Sequence, residues 1–242
     1  MTAIVLAAGE SRRMGGSVPK VLLPLDGRPL LEYVIEACRA AGAERLVVVV
    51  GAGADQVRQR FAGRGLEFAV QPERKGTADA VLCCRHLMKA DEECAVVYGD
   101  VPLMTGGTIR RMVEARRGQD ADVAVLTAEL DNPYNYGRVL RGEGSTIERI
   151  VEERDADEAT RRVREVNSGF YTFVWGRVLP ALERVRPSPA SGEYYLTDAV
   201  QEVRQAGGSV VAVRMDDPRE MLGANTPTQL EEIERERARR AR

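Results

Sequence analysis

The chain has 242 residues, enough for one large α/β domain or two small ones with a substantial core, and we expect one domain. Its 35 basic and 37 acidic residues give a net charge of −2, which excludes the basic excess typical of proteins that bind nucleic acid polymers. No stretch approaches the roughly 18 uninterrupted apolar residues of a membrane span, and no basic and apolar leader opens the chain, so we expect a cytoplasmic protein.

Short apolar runs alternate with helical patterns along most of the chain. Strands are predicted at residues 3–6, 46–50, 68–70, 94–98, 123–127 and 210–213. Apolar residues at helical spacing predict helices over residues 30–41 and 77–88. This order predicts an α/β fold with a Rossmann-like mixed, mostly parallel sheet and helices on both faces.

The first predicted strand runs into a glycine-containing loop. This loop continues through Ala7, Ala8 and Gly9 to Arg13, and Lys20 follows after a proline. Small residues let the backbone approach a ligand closely, and the two cations suit phosphate oxygens. The glycine spacing fits neither the Rossmann fingerprint nor the Walker loop. The segment predicts a cradle for a nucleotide triphosphate or similar polyanion, with a plain turn as the alternative.

Lysine is rare in this chain, whereas arginine is common. Only three basic residues are lysines, namely Lys20, Lys75 and Lys89. A compact ammonium can act as a point charge on phosphate where a planar guanidinium does not fit, so we interpret Lys20 as a phosphate ligand. The four cysteines lack C-x-x-C spacing and only one histidine, His86, is present, which indicates reduced buried thiols rather than a zinc site.

Two further strand ends carry polar groups, and ligands of parallel sheets bind beyond such ends. Gln71 can present a donor and an acceptor to a nucleobase, while Gly76 and Thr77 can open the next helix with unpaired backbone amides. Asp100 follows the fourth strand. A single carboxylate at this position suits magnesium, because this ion binds few carboxylates and takes its other ligands from substrate phosphates and water. A capped helix start and a turn are the alternatives for these positions.

Residues 132–167 have a different sequence pattern, with charged loops around two short runs. These runs, at 136–141 and 147–153, predict a small antiparallel excursion from the main sheet. We interpret it as an inserted substrate lobe. Glu152 and Asn167 can bind sugar hydroxyls, with plain surface positions as the alternative. The charged segment 155–164 predicts a solvated helix. Residues 226–242 predict a polar helix in which Leu230 and Ile233 can dock while its arginine-rich end stays in water.

Eight short motifs follow one another along nearly the whole chain. They are Leu6-Ala7-Ala8-Gly9 with Arg13-Met14 and Pro19-Lys20, Gln71 with Gly76-Thr77-Ala78, Tyr98-Gly99-Asp100-Val101-Pro102-Leu103, Tyr136-Gly137-Arg138-Val139, Ile150-Val151-Glu152, Glu165-Val166-Asn167-Ser168-Gly169, Gly192-Glu193-Tyr194-Tyr195-Leu196-Thr197-Asp198 and Gly223-Ala224-Asn225. In this order they resemble the uridylyltransferase domain of the bacterial N-acetylglucosamine-1-phosphate uridylyltransferase family.

The resemblance implies a nucleotide-diphospho-sugar transferase fold of the GT-A-like type. It implies a nucleotidyltransferase domain over residues 1–225, containing a sugar-binding lobe at about 132–170, and a C-terminal polar helix over 226–242. The implied reaction joins UTP to N-acetylglucosamine 1-phosphate with Mg²⁺ as cofactor, giving UDP-N-acetylglucosamine and pyrophosphate. We expect small-molecule partners only, and a monomer or small homo-oligomer.

The resemblance also implies a role for each matching residue. Uracil and ribose would be held by Leu6, Ala7, Ala8, Gly9, Gln71, Gly76 and Thr77, and the triphosphate by Arg13 and Lys20. Asp100 and Asn225 would hold magnesium. The sugar would be held by Gly137, Glu152, Asn167 and Thr197, with Tyr98 and Gly99 also at the substrate. Arg13, Lys20 and Asp100 are the expected catalytic residues, and no general base is needed because the attacking phosphate is already ionised.

Two departures from the family pattern leave alternatives open. Bifunctional members continue into a domain of hexapeptide repeats that acetylates glucosamine 1-phosphate, whereas this sequence stops at Arg242, so we expect no acetyltransferase activity. Ser11 stands where the family loop usually has glycine. The same substitution is found in related cytidylyl- and guanylyltransferases. The alternatives are another sugar or cofactor nucleotidyltransferase, with a UDP-glucose, CDP or GDP product, and a non-catalytic subunit that binds nucleotide-sugar.

Overall fold

The structure is a computed structural model that describes residues 1–9, 18–142 and 146–240. The strands within these residues are β1 (Thr2–Ala7), β2 (Pro24–Leu25), β3 (Arg28–Pro29), β4 (Arg45–Val50), β5 (Glu67–Val70), β6 (Glu93–Tyr98), β7 (Val123–Glu129), β8 (Arg138–Arg141), β9 (Ile147–Val151), β10 (Glu165–Val174) and β11 (Val210–Arg214). The helices are α1 (Leu30–Ala40), α2 (Ala54–Arg60), α3 (Thr77–Leu82), α4 (Gly106–Gly118), α5 (Glu158–Arg161), α6 (Trp175–Arg184), α7 (Leu196–Gln205) and α8 (Pro227–Arg240), with 3-10 turns at Lys20–Leu22, Arg85–Leu87 and Pro218–Met221.

The main sheet has the strand order β11-β7-β10-β6-β1-β4-β5, and the β8–β9 ribbon joins it through β10. All six predicted strands are present and run in the same direction, whereas β10 runs antiparallel to both β6 and β7. The predicted antiparallel excursion is the β8–β9 pair. The mixed, mostly parallel sheet predicted from the apolar runs is therefore confirmed.

Two apolar cores lie on the two faces of this sheet. In β1, Ala3 and Val5 belong to one core and Ile4 and Leu6 to the other, because successive side chains of a strand point to opposite faces. Helices α1 and α4 contribute to the first core, and α3, α6 and α7 to the second. The sheet is thus covered on both faces, which explains why its parallel strands are nearly continuous apolar runs.

Strand β10 was not predicted from the apolar pattern, and it changes the geometry of the site. It is inserted between β6 and β7, and Asn167 pairs with Thr127 near the end of β7. Because β10 runs against its neighbours, its first residues lie at the edge where the parallel strands end. Asn167 reaches the edge expected for ligand binding for this reason.

Two helix predictions were too long. The helix predicted over 77–88 ends at Leu82, and the chain then tightens into 3-10 bonding, with the Cys84 amide donating to the Val81 carbonyl at 3.0 Å. The helix predicted over 155–164 is a single turn, Glu158–Arg161, whose N-cap Asp157 accepts from the Thr160 amide at 2.7 Å.

The arginine-rich end of the C-terminal helix docks on the protein rather than staying in water. Ile233 of α8 is fully buried in a third apolar cluster. The Arg237 guanidinium lies 4.2 Å from the centre of the Tyr33 ring, and Arg240 donates to the Leu103 carbonyl at 2.9 Å. None of the helices in the described ranges has the length and apolar character needed to cross a membrane.

Candidate active site

A cavity of about 610 Å³ opens at the edge of the sheet where β1 and β6 end. It is lined by Leu6, Ala7, Ala8, Gly9, Lys20, Val21, Gln71, Arg74, Gly76, Thr77, Ala80, Tyr98, Asp100, Arg154, Glu193 and Asn225. The described residues that were predicted to bind nucleotide and magnesium therefore share one cavity.

The first loop follows β1 along the cavity wall. The Gly99 amide donates to the Leu6 carbonyl at 2.9 Å, which places the two strand ends side by side. A Cβ atom on Gly99 would lie 3.0 Å from Cγ1 of Val21 and 3.3 Å from the Leu6 carbonyl oxygen, so a glycine suits this close approach. The predicted phosphate ligand Arg13 and the departure at Ser11 lie outside the described residues.

The Gln71 side chain is fixed by two hydrogen bonds. Its Nε2 donates to the Gly76 carbonyl at 3.0 Å and to Oδ2 of Asp79 at 2.8 Å. Gly76 has φ of +116°, in the region that favours glycine, and a Cβ there would collide with the Tyr194 backbone. Thr77 Oγ1 accepts from the Leu196 amide at 2.9 Å. The amide and hydroxyl loop is thus held against the loop that leads into α7.

Lys20, Asp100 and Asn225 form a compact cluster in the cavity. The Lys20 ammonium donates to Oδ1 of Asn225 at 2.6 Å and forms an ion pair with the Asp100 carboxylate. The Ala224 amide donates to the Asp100 backbone carbonyl at 3.1 Å, which joins the two segments that carry these oxygens. Lys20 is only 9% exposed, so this ammonium is held within the wall rather than in solvent.

The two side-chain oxygens that the Lys20 ammonium contacts belong to Asp100 and Asn225, the two predicted magnesium ligands. Because one ammonium contacts both, they converge on a point that suits a small cation, and carboxylate and amide oxygens are hard donors. Within the described part of the chain, no group of three or more His, Cys, Asp or Glu side chains is arranged to hold a metal ion. The donor set fits magnesium only with phosphate and water as the remaining ligands, a usual arrangement for this ion.

The four residues predicted to bind the sugar lie together beside this cavity. Thr197 Oγ1 donates to Oε1 of Glu152 at 3.0 Å, and the backbone N–H of Asn167 donates to the Gly137 carbonyl at 2.8 Å. A Cβ on Gly137 would lie 3.3 Å from Oε1 of Glu152. None of the four is among the residues that line the cavity as described. They form a second, largely buried polar group on β10, α7 and the ends of the β8–β9 ribbon.

Burial raises the pKa of Glu152, and the Thr197 hydroxyl offsets this rise only in part. The nearby carboxylates of Asp198, Asp155 and Glu193 raise it further. The site thus holds a carboxylate with few compensating donors of its own. Such a carboxylate favours a ligand that brings hydroxyl groups.

Tyr98 lies near both polar groups. Its ring lines the cavity and packs edge-to-face on Phe170, with centroids 6.1 Å apart. Burial raises the pKa of Tyr98, and the carboxylates of Glu152 and Asp100 both add to the rise. Gly169, with φ of +85°, leaves room for this ring, since a Cβ there would collide with it.

Several residues of the cavity wall were not predicted, the charged ones being Arg74, Arg154 and Glu193. Arg74 belongs to the loop between Gln71 and Gly76, and Glu193 to the motif before α7, so position in a motif was an available signal. Arg154 lies in a charge-rich segment where an arginine is unremarkable, and its place became visible only through the fold.

Comparisons with known proteins show which family this sequence resembles. The family model described as the MobA-like NTP transferase domain matches residues 3–235. Relatives named "Bifunctional protein GlmU" are 42% identical in Burkholderia mallei (strain SAVP1) and Burkholderia thailandensis, and 43% identical in Burkholderia ambifaria. Each match spans 235 residues, which is 97% of this chain and 51% of the relative. The chain therefore spans about half the length of these curated relatives.

Proposed function

This chain belongs to the MobA-like NTP transferase family, and we propose that it transfers a uridylyl group from UTP to N-acetylglucosamine 1-phosphate. Family membership makes it a nucleotidyltransferase. The choice of these two substrates rests on the eight sequence motifs and on the site. We propose that the enzyme works in the cytoplasm on small molecules, as a monomer or small homo-oligomer.

One observation carries the proposal. The cluster of Lys20, Asp100 and Asn225, suited to phosphate and a cation, and the carboxylate and hydroxyl pair of Glu152 and Thr197, suited to a sugar, both lie near Tyr98. A nucleotidyl transfer needs this arrangement, because a polyanion and a polyhydroxylated anion must meet at one phosphorus atom.

In the proposed reaction, an oxygen of the sugar phosphate attacks the α-phosphorus of UTP. The bond from the α-phosphorus to the bridging oxygen breaks, and pyrophosphate leaves with that oxygen and its electron pair. Both reactants are anions that repel each other, so neutralisation by Lys20 and Arg13, together with in-line positioning, supplies most of the catalysis. The attacking phosphate is already ionised near neutral pH and needs no general base.

Asp100 and Asn225 are the proposed ligands of magnesium. A bound magnesium ion supplies electrostatic neutralisation of the phosphate oxygens. Lys20 now contacts both ligand oxygens, so it competes with any cation for them. A bound triphosphate would offer this ammonium other acceptors, and Lys20 lines the cavity that is proposed to hold it.

The remaining proposed contacts follow from the positions of the side chains. Gln71 would read the edge of uracil as an acceptor through Oε1 rather than as both donor and acceptor. Its two N–H groups are engaged by the Gly76 carbonyl and Asp79, and these bonds fix its amide plane. Leu6 to Gly9 with Gly76 and Thr77 would hold the rest of the nucleoside. Gly137, Glu152, Asn167 and Thr197 would hold the sugar.

The test is pyrophosphate release over a grid of four nucleoside triphosphates and several sugar 1-phosphates in the presence of Mg²⁺, with each product identified by mass. We expect the highest rate with UTP and N-acetylglucosamine 1-phosphate. A higher kcat/KM with CTP, GTP or another sugar would replace the proposed substrates. Binding of UDP-N-acetylglucosamine without turnover of any pair would instead identify a non-catalytic subunit.

A further inference from the structure

The Tyr136-Gly137-Arg138-Val139 motif contains a buried arginine that has no part in the reaction described above. Arg138 is 2% exposed. Its Nη2 forms an ion pair with Oε2 of Glu153 at 2.6 Å, and its Nη1 donates to the Tyr136 carbonyl. A guanidinium this deeply buried is costly to desolvate unless it is paired, so the contact with Glu153 holds both side chains in place.

Both partners of this ion pair are adjacent in sequence to residues of the proposed sugar site. Gly137 precedes Arg138, and Glu152 precedes Glu153. On the two sides of β8, Arg138 pairs with Val151 of β9 and with Val166 of β10. Arg138 is therefore the junction of the segments that carry Gly137, Glu152 and Asn167.

Glu153 connects further groups to this junction. Its carboxylate accepts from the backbone N–H of Asn135 at 3.2 Å and lies 3.5 Å from Nε of Arg161. These contacts join the loop before β8 and the α5 turn to the end of β9. The ion pair thus fixes the start of β8 relative to the segment that follows β9.

A second buried arginine provides a comparison within the same chain. Arg116 is 6% exposed, and its Nη2 lies 2.6 Å from Oε1 of Glu93. Glu93 begins β6, at the opposite edge of the sheet from the cavity. The two ion pairs are matched in chemistry and burial, and they differ in their distance from the proposed sugar site.

We propose that Arg138 is a positioning residue that sets the affinity for the sugar 1-phosphate by holding Gly137, Glu152 and Asn167 in register. The inference rests on the proposed function, in which these three residues bind the sugar. Arg138 acts through them and does not touch the substrate. Hydrogen bonds from hydroxyls to a carboxylate need separations of about 2.5 to 3.0 Å, so a small displacement of Glu152 weakens them.

The first test compares steady-state kinetics of the wild type with Arg138→Lys, Arg138→Met and the matched control Arg116→Lys. Lysine keeps a positive charge beside Glu153. It lacks the planar guanidinium, whose second nitrogen also donates to the Tyr136 carbonyl. We expect KM for N-acetylglucosamine 1-phosphate to rise about tenfold in Arg138→Lys and further in Arg138→Met, by analogy with the loss of a group that orients a metal ligand. KM for UTP should stay within about twofold, and Arg116→Lys should lower Tm without changing the ratio of the two KM values.

The second test needs no substrate. Amide hydrogen exchange should speed up at residues 137, 152 and 167 in Arg138→Lys and remain unchanged there in Arg116→Lys. If the wild type turns over no sugar 1-phosphate, the proposed function fails, and the exchange data still decide whether Arg138 holds these segments. The positioning role is overturned by unchanged exchange at these residues, or by KM values for both substrates that rise together. Arg138→Lys carries both tests if Arg138→Met does not fold.

Discussion

On the nucleotide side of the site, residues at the ends of strands, in loops and at the starts of helices line an open cavity. This side comprises Leu6, Ala7, Ala8, Gly9, Lys20, Gln71, Gly76, Thr77, Asp100 and Asn225. On the sugar side the residues stand on β10, α7 and the ends of the ribbon and hydrogen-bond with one another; this side comprises Gly137, Glu152, Asn167 and Thr197. Lys20 and Arg74 bring positive charge to the first side, whereas the second places Glu152 near three other carboxylates.

The difference follows from what each side is proposed to bind. A triphosphate is held by point charges and amides, and these tolerate some change in direction. A neutral hydroxyl is held by an acceptor at a fixed position, so the sugar side must be rigid before the ligand arrives. Changes on the nucleotide side should therefore reduce turnover, and changes on the sugar side should raise KM for one substrate.

The largest effect is expected for Asp100→Ala on the nucleotide side. This change removes one of the two oxygens that converge on Lys20 and are proposed to hold magnesium. Mg²⁺-dependent pyrophosphate release should fall about a thousandfold, the size expected for losing a principal electrostatic group. Circular dichroism and Tm should show a folded protein. Turnover like that of the wild type would remove Asp100 from the metal site.

Lys20→Arg should have the next largest effect, although it keeps the charge. The ammonium fits between oxygens of Asp100 and Asn225, and the larger planar guanidinium does not. We expect kcat to fall about a hundredfold, as for a misplacement of about 1 Å near the chemistry. The exposed Lys89→Arg serves as the control and should behave as the wild type. A rate for Lys20→Arg equal to that control would show that only charge matters at this position.

On the sugar side, Glu152→Gln should act on one KM. The variant keeps an oxygen for Thr197 but loses the charged acceptor, which weakens hydrogen bonds to hydroxyls by about 1.5 kcal/mol. KM for N-acetylglucosamine 1-phosphate should rise about tenfold, while KM for UTP stays constant. Glu148→Gln, at an exposed position of β9, is the matched control. Equal changes in both KM values would mean that the two sides are not separate.

The smallest effect is expected for Asp198→Asn, measured as stability. Burial, reinforced by Asp155 and Glu202, raises the pKa of Asp198 from 3.8 to about 6. Between these values the native state binds more protons than the unfolded state, so this carboxyl lowers stability as pH rises from about 4 to about 6. At pH 8 the variant should be more stable than the wild type by about 1 kcal/mol, allowing for partial exposure.

Urea unfolding of wild type and Asp198→Asn at pH 4 and pH 8 checks this sign. The stability advantage of Asp198→Asn should be much smaller at pH 4, where the carboxyl is protonated in the native state and only partly ionised in the unfolded state. An advantage that is equal at both pH values would assign it to packing rather than to charge.

The parallel part of the fold was predictable because strands buried on both faces leave continuous apolar runs. All six runs became strands, and the loops after the first, third and fourth carry residues of the cavity. The position of a polar residue directly after such a run was therefore enough to place Gln71 and Asp100 at one edge.

The antiparallel part was less predictable, because Asn167, Ser168 and Gly169 interrupt the apolar pattern of β10. The reversed direction of this strand brings Asn167 to the site, and no local pattern encodes that direction. The docking of the arginine-rich end of α8 depends on Tyr33 and Leu103, which are distant in sequence. Arg154 is equally hidden, because its place on the cavity wall depends on how the segment after β9 folds.

The central claim is the transfer of a uridylyl group between the two sides of the site, and ³¹P NMR of one reaction tests it most directly. Purified protein is mixed with UTP, N-acetylglucosamine 1-phosphate and Mg²⁺, with Asp100→Ala as the control. The predicted result is the loss of the sugar phosphate signal with equal amounts of pyrophosphate and UDP-N-acetylglucosamine, absent in the control. Unchanged substrate signals, or orthophosphate in place of pyrophosphate, would contradict uridylyl transfer.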